Sequence, residues 1–220
     1  MTAARPAPTP EQFSAFQSMY DHFNRELFDD ELPQVILNFS RRAGSLGFFA
    51  AERWDDGRAR THEISLNPAH LKEREPIDVA STLVHEMVHL WQHERGAPSR
   101  VGYHNTEWAT KMEEVGLVPS DTGHPGGRQV GQQMDHFVDE AGGFQRAFDR
   151  LPPGSLLPWQ CRSEGSAEGG APGAAKEAGA TRNKIKYTCP TCASNVWGRP
   201  DLQLQCVPCG RRYRVAERRR

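Results

Sequence analysis

The chain has 220 residues, 37% of them hydrophobic, and a formal net charge of −1, which suits a soluble globular protein with one packed domain and a small satellite. No run of eighteen apolar residues occurs, which excludes a membrane-spanning helix, and the opening MTAARPAPTP lacks the apolar core of a signal peptide. Four of the five cysteines form two CxxC pairs near the C-terminus, which argues against a disulfide framework and for metal binding in a reducing compartment, so a cytoplasmic location is expected.

Residues 1–9 read as a disordered lead-in. An amphipathic helix is expected over 9–29, with Thr9 as cap, Pro10 in the first turn, and Phe13, Phe16, Tyr20, Phe23 and Leu27 at helical spacing. VILNFS (35–40), LGFFAAERW (46–54) and HEISLN (62–67) read as strands, with DDG (55–57) as a turn. A second helix is expected from Ile77 to about Glu94, ended by Gly96 and Pro98. A third begins at Asn105 or Thr106 and runs to Gly116. Weaker helical segments are expected at Gln132–Asp139 and Gly143–Arg150. The first domain is thus placed at 10–160 and the fold class is α+β.

From Ser163 to Ala180 the composition collapses to Gly, Ala, Ser, Glu and Pro with one lysine. Such a segment cannot bury a core, so 161–183 is expected to be a flexible linker. A cysteine island follows at 184–215, then a basic tail at 216–220. No internal repeat is present. Between Thr181 and Arg220 ten basic residues face two acidic ones, leaving 17 basic against 26 acidic in residues 1–180. An acidic body with a basic end points to an anionic partner, nucleic acid first.

The densest chemistry lies in STLVHEMVHLWQHERGAPSRVGYHNTEW (81–108). His85 and His89 are four residues apart, which places both imidazoles on one helix face about 6 Å apart along the axis, close enough to share an ion. Glu86 projects to the side, where it can take a proton from a water beside the metal without ligating it; this is the H-E-x-x-H arrangement of zinc peptidases. The helix around these residues is apolar, and burying them unpaired would cost several kcal/mol. For a third ligand His93 and His104 compete. His93 lies about 12 Å along the axis from His85, too far on an unbroken helix. His104 follows the break at RGAPSRVG and can approach from another direction, which makes it the better ligand and leaves His93 a surface or supporting residue. Tyr20, Tyr103 and His70 are conceivable oxyanion donors, but each is more commonly a core or surface residue and none is assigned.

In the island, Cys189-x-x-Cys192 and Cys206-x-x-Cys209 are separated by thirteen residues, a spacing that wraps one tetrahedral zinc. About 35 residues with few large apolar groups need that metal to fold. Tyr187, Trp197 and Tyr213 are candidates to stack on bases, with Lys184, Lys186, Arg199, Arg211, Arg212 and Arg214 on phosphates; the same aromatics are also candidates for the ribbon's core. Cys161 lies outside both pairs and reads as an incidental thiol.

HEMVHLWQH followed by YHNTEW, with fifteen residues from His89 to His104, resembles the SprT-like family, whose eukaryotic relative is the DNA-repair protease Spartan. FNRELFDDELPQVILNFSRRAGSLGFF and HEISLNPAHL also look like the family's first helix and strands, so the resemblance covers roughly 10–120. The family's later histidine stands in a motif like H-G-P-E-F. Here the stretch is His104-Asn105-Thr106-Glu107-Trp108, with Asn-Thr, a good helix cap, in place of Gly-Pro. The resemblance implies a minimal zincin-type metalloprotease with one catalytic zinc on His85, His89 and His104, Glu86 as catalytic base, and a second, structural zinc in a ribbon like the family's DNA-contacting region. It also implies protein substrates, DNA-crosslinked ones included, and recruitment or gating by DNA, single-stranded among the options. Two other functions remain open: a non-proteolytic nucleic-acid-binding or transcription-associated zinc protein, and a small-molecule metallohydrolase.

Overall fold

The computed structural model describes residues 6–72, 74–161, 185–198 and 202–215. The chain divides into two compact units, residues 1–166 and 167–220. Helices and sheets are mixed, giving an α+β protein with a cysteine cluster near the C-terminus. No helix among the described residues is long and apolar enough to cross a membrane.

In the first unit α1 (Pro8–Phe28) starts one residue before Thr9, the expected cap. Ala7 takes the N-cap position without a side-chain bond, and Pro8 opens the helix where a missing N–H costs nothing. Phe16, Met19, Tyr20 and Phe23 form its buried face, each at most 1% exposed. The helix ends in two consecutive left-handed residues, Asp29 and Asp30. Asn24 ties down that turn, its amide donating to the Leu32 carbonyl and its oxygen accepting the Leu32 N–H.

Strands β1 (Ile36–Phe39), β2 (Gly47–Asp55) and β3 (Arg60–Leu66) form one sheet in the order β1-β3-β2. The central β3 runs parallel to β1 and antiparallel to β2, leaving β2 at an edge. The β2–β3 turn falls on the expected DDG, where Gly57 is left-handed and the Asp56 carboxylate accepts the Arg58 and Ala59 N–H groups. Helix α2 (Pro76–Arg95) matches the expected second helix and ends at Gly96. Its residues Leu83, Val84, Met87, Val88 and Leu90 are fully buried in a core shared with α1, Ile64 and Leu66 of β3, and Trp108.

After α2 the chain turns back through β4 (Tyr103–His104) into α3 (Thr106–Val115). Asn105 caps α3 by accepting the Trp108 N–H at 3.1 Å, the role its residue type predicts. Gly116 then takes φ +92°, and a Cβ there would lie 2.7 Å from the Gly143 nitrogen. Only glycine permits this crossing of α3's end against α4 (Gly143–Asp149). β5 (Leu117–Ser120), β6 (Gly131–Gln132) and β7 (Asp135–Val138) complete the unit; β4 pairs with β6 and β5 with β7.

The helix expected at Gln132–Asp139 does not form. Met134, Phe137 and Val138 mimic helical spacing, but Gly131 at φ +147° and Gln133 at φ 54° break the turn, and β5 offers an open edge that the short segment fills.

The second unit holds β8 (Ile185–Thr188), β9 (Asn195–Gly198) and β12 (Arg214–Val215) in the order β12-β8-β9, beside a hairpin of β10 (Gln205–Cys206) and β11 (Arg211–Arg212). Each CxxC pair closes a tight turn. Ala193 N–H donates to the Cys189 carbonyl and Gly210 N–H to the Cys206 carbonyl, with Ala193 and Gly210 left-handed.

Candidate metal centres

Successive turns of α2 carry His85 and His89, whose ring centroids lie 5.2 Å apart. β4 brings His104 to meet them, its backbone held against Gly131. One nitrogen from each ring lies within 4.8 Å of the other two. His104 Nδ1 sits 3.3 Å from the Gly131 carbonyl, so that nitrogen carries the ring proton and the Nε2 lone pair points inward. His89 Nε2 is 3.1 Å from His104 Nε2, close to the ~3.3 Å that tetrahedral ligands at ~2.0–2.1 Å from one ion take.

All three rings are held neutral. Burial first, then His89, His136 and His104, keep His85 well below the usual histidine range. Burial and His104 push His89 down to about 3. Burial lowers His104 too, with the Gly131 carbonyl opposing. Neutral imidazoles converging their lone pairs fit a divalent ion of the zinc type.

Glu86 points beside this trio and is 6% exposed. Burial pushes its carboxyl up to about 8, while the Phe49 N–H and the Arg42 charge pull it down. Gly47 of β2 makes the space: a Cβ there would lie 3.0 Å from the Ser65 carbonyl, 3.1 Å from Thr82 Cγ2 and 3.2 Å from Glu86 Oε1. Trp108 closes the site, its ring centroid 4.3 Å from that of His104, 5.0 Å from His85 and 5.5 Å from His89. Its Nε1 is buried without a hydrogen-bond partner among the described residues, a cost of about 1–3 kcal/mol carried inside the site.

His93 stays apart from the trio. It packs on Phe49 and His62, while His62 Nε2 meets Glu94 at 3.1 Å. His62, His93 and Glu94 also bring ligand atoms within 4.8 Å of one another. However, His62 Nδ1 accepts the Glu52 N–H at 3.0 Å, so its proton is on Nε2, already donated to Glu94. His62 and Glu94 are thus already hydrogen-bonded to each other, with the His93 ring packed against His62. Of the conceivable oxyanion donors, Tyr20 is fully buried with its hydroxyl donated to the Pro33 carbonyl, Tyr103 lies under Arg100, and His70 is exposed.

His136 is a residue that sequence reasoning did not find. β7 sets its Nδ1 3.2 Å from His85 Nδ1, with 6% of its side chain exposed. Burial, with Arg74, pushes it down to about 4, against Asp135 and Asp78. No spacing rule links it to α2; only the β5–β7 pairing does.

In the ribbon the sulfurs of Cys189, Cys192, Cys206 and Cys209 all lie within 4.8 Å of one another, and no cysteine of the chain is in a disulfide. Hydrogen bonds from Ser194 chiefly push Cys192 down to about 6, and bonding to Cys192 chiefly pushes Cys209 up to about 12. Tyr187 cannot serve as a base-stacking platform: it is 2% exposed and its hydroxyl accepts the Leu202 N–H, so it is the ribbon's core. Tyr213 is half-buried and hydrogen-bonds Ser194. Trp197 is 63% exposed with the Lys186 ammonium 6.0 Å over its ring, and Arg211, Arg212 and Arg214 are exposed. Lys184, Arg199, most of the expected linker and the 216–220 tail lie outside the described residues. Cys161 Sγ accepts from Arg41 at 3.2 Å.

The family model described as SprT-like matches residues 16–126, half of the chain. Over 47 residues, 21% of this chain, the sequence is 36% identical to a Salmonella typhimurium protein described as an uncharacterized protein in the mucB 3' region. That stretch covers 64% of the relative, so the chain spans less than two thirds of its length.

Proposed function

Since the chain belongs to the SprT-like family, a family often linked to metallopeptidase function, we propose that it is a zinc-dependent endopeptidase of zincin type acting on DNA-bound or DNA-crosslinked proteins. The observation that carries this reading is the convergence of His85, His89 and His104 with the buried carboxyl of Glu86 beside the edge strand β2.

His85, His89 and His104 would hold the catalytic zinc and the four cysteines a structural one. Bound there, zinc supplies Lewis acidity toward a carbonyl and a water. Glu86 takes the proton of the attacking water onto its carboxylate and passes it to the leaving nitrogen. The Phe49 N–H orients that carboxylate. The β2 edge, unpaired among the described residues, can receive an extended peptide through main-chain hydrogen bonds, which favours unfolded segments over a particular side chain. Exposed Trp197 and Lys186 with Arg211, Arg212 and Arg214 support single-stranded DNA as the recruiting partner, by stacking and phosphate contact.

The test is cleavage of a histone with and without single-stranded DNA, run alongside Glu86→Gln. Cleavage stimulated by DNA and reduced about 10²–10⁴-fold by the substitution is expected. Cleavage indifferent to DNA retains the peptidase and removes the recruitment. DNA binding without cleavage by either protein favours a nucleic-acid-binding role instead.

A further inference from the structure

We propose that His136 is a positioning residue for the metal: it accepts the Nδ1 proton of His85 and so fixes His85 in the one tautomer that can ligate. This rests on the reading of His85 as a ligand. The two Nδ1 atoms are 3.2 Å apart, a separation that one shared proton explains. If His136 donated, the proton of neutral His85 would sit on Nε2 and that nitrogen could not ligate. If His85 donates, its Nε2 lone pair is free to join those of His89 and His104.

The surroundings leave His136 placed to accept that proton. No nitrogen of His136 joins the described group whose ligand atoms lie within 4.8 Å, so His136 stands behind His85 rather than among the ligands. With 6% of its side chain exposed, water is poorly placed to replace it. Asp135 Oδ1 is 3.8 Å from His136 Nδ1, beyond hydrogen-bond range. The ring is held by its backbone: His136 pairs with Pro119 across β5 and β7, and its N–H is held by the Asp135 carboxylate at 2.8 Å. His104 uses the Gly131 carbonyl in the same way. Such outer hydrogen bonds commonly set metal affinity by 10–100-fold.

The experiment is chelator competition for zinc on the full chain, with the histidine centre identified as the phase abolished by His85→Ala. His136→Ala is expected to weaken that phase about 10–100-fold and leave the cysteine phase unchanged. His136→Gln, whose amide oxygen can accept the same proton, is expected to recover most of the loss, and His136→Leu is not. An alanine variant within about threefold of wild type overturns the proposal, as does Leu performing as well as Gln; if wild type shows no His85-dependent phase, the ligand reading itself falls.

Discussion

In the metal-stripped protein Glu86 is a liability, and replacing it with glutamine is expected to stabilise the fold. Its carboxyl is raised from an ordinary 4.5 to about 8, chiefly by burial. Because the folded pKa is the higher one, the folded state binds the extra proton, and stability falls as pH rises between those two values. At about 1.36 kcal/mol per unit of pKa difference, taking up that proton on folding costs about 1 kcal/mol at pH 5 and about 4 kcal/mol at pH 7.5. Glutamine keeps the oxygen that can accept the Phe49 N–H and removes the charge. Urea unfolding of chelated wild type and Glu86→Gln should therefore show a gap that widens by about 3 kcal/mol from pH 5 to pH 7.5. Far-ultraviolet circular dichroism is a suitable probe, since all helices of the described residues lie in the first unit. Returning the divalent metal places a cation beside the carboxylate and should narrow the gap. A variant no more stable than wild type at pH 7.5, or a gap that does not change with pH, would refute the burial argument.

In the Glu86→Gln background, the chelated protein should lose stability between pH 7.5 and pH 5, with about 2 kcal/mol of that loss from His89 alone. The folded pKa values of His85 and His89 are depressed, so their stabilising contribution disappears as pH falls below about 6.5; the same unfolding series measures it. Gly47→Ala pushes a methyl to within 3.2 Å of Glu86 Oε1, and should lower kcat about tenfold or more with zinc content unchanged by elemental analysis. Gly116→Ala forces a side chain into φ +92° with its Cβ 2.7 Å from the Gly143 nitrogen; a loss above about 2 kcal/mol is expected by urea unfolding. Cys206→Ser should reduce bound zinc from two ions to one while the helical dichroism stays unchanged.

How far the sequence could be read depended on how local the determining contacts were. The first three helices and the first three strands were visible because each carries its own signal: an apolar stripe, a prolyl start, the Asn105 cap, the DDG turn. The choice of His104 over His93 needed only the rise of a helix, and the structure places His104 with His85 and His89 while His93 turns toward Phe49 and His62. The segment Gln132–Asp139 was misread as helical because its strands have two and four residues and form only by pairing with β4 and β5. His136 was lost with them: its meeting with His85 spans 51 residues and rests on β7, where a helix was expected. The space at Gly47 was likewise invisible, since it depends on how closely β2 approaches α2. Tyr187 was ambiguous between core and surface, and only its position in the ribbon sheet decided it.

On the proposed reading the histidine centre cleaves peptide bonds with Glu86 as its base. The most direct measurement is the appearance of new N-termini, read by mass spectrometry, when zinc-loaded protein is incubated with a histone on single-stranded DNA, beside zinc-loaded Glu86→Gln. New termini are expected with wild type, and their near-disappearance in the variant at an equal zinc content of two ions per chain. Equal cleavage by both proteins would contradict that reading, as would no new termini from a wild type that holds both zinc ions.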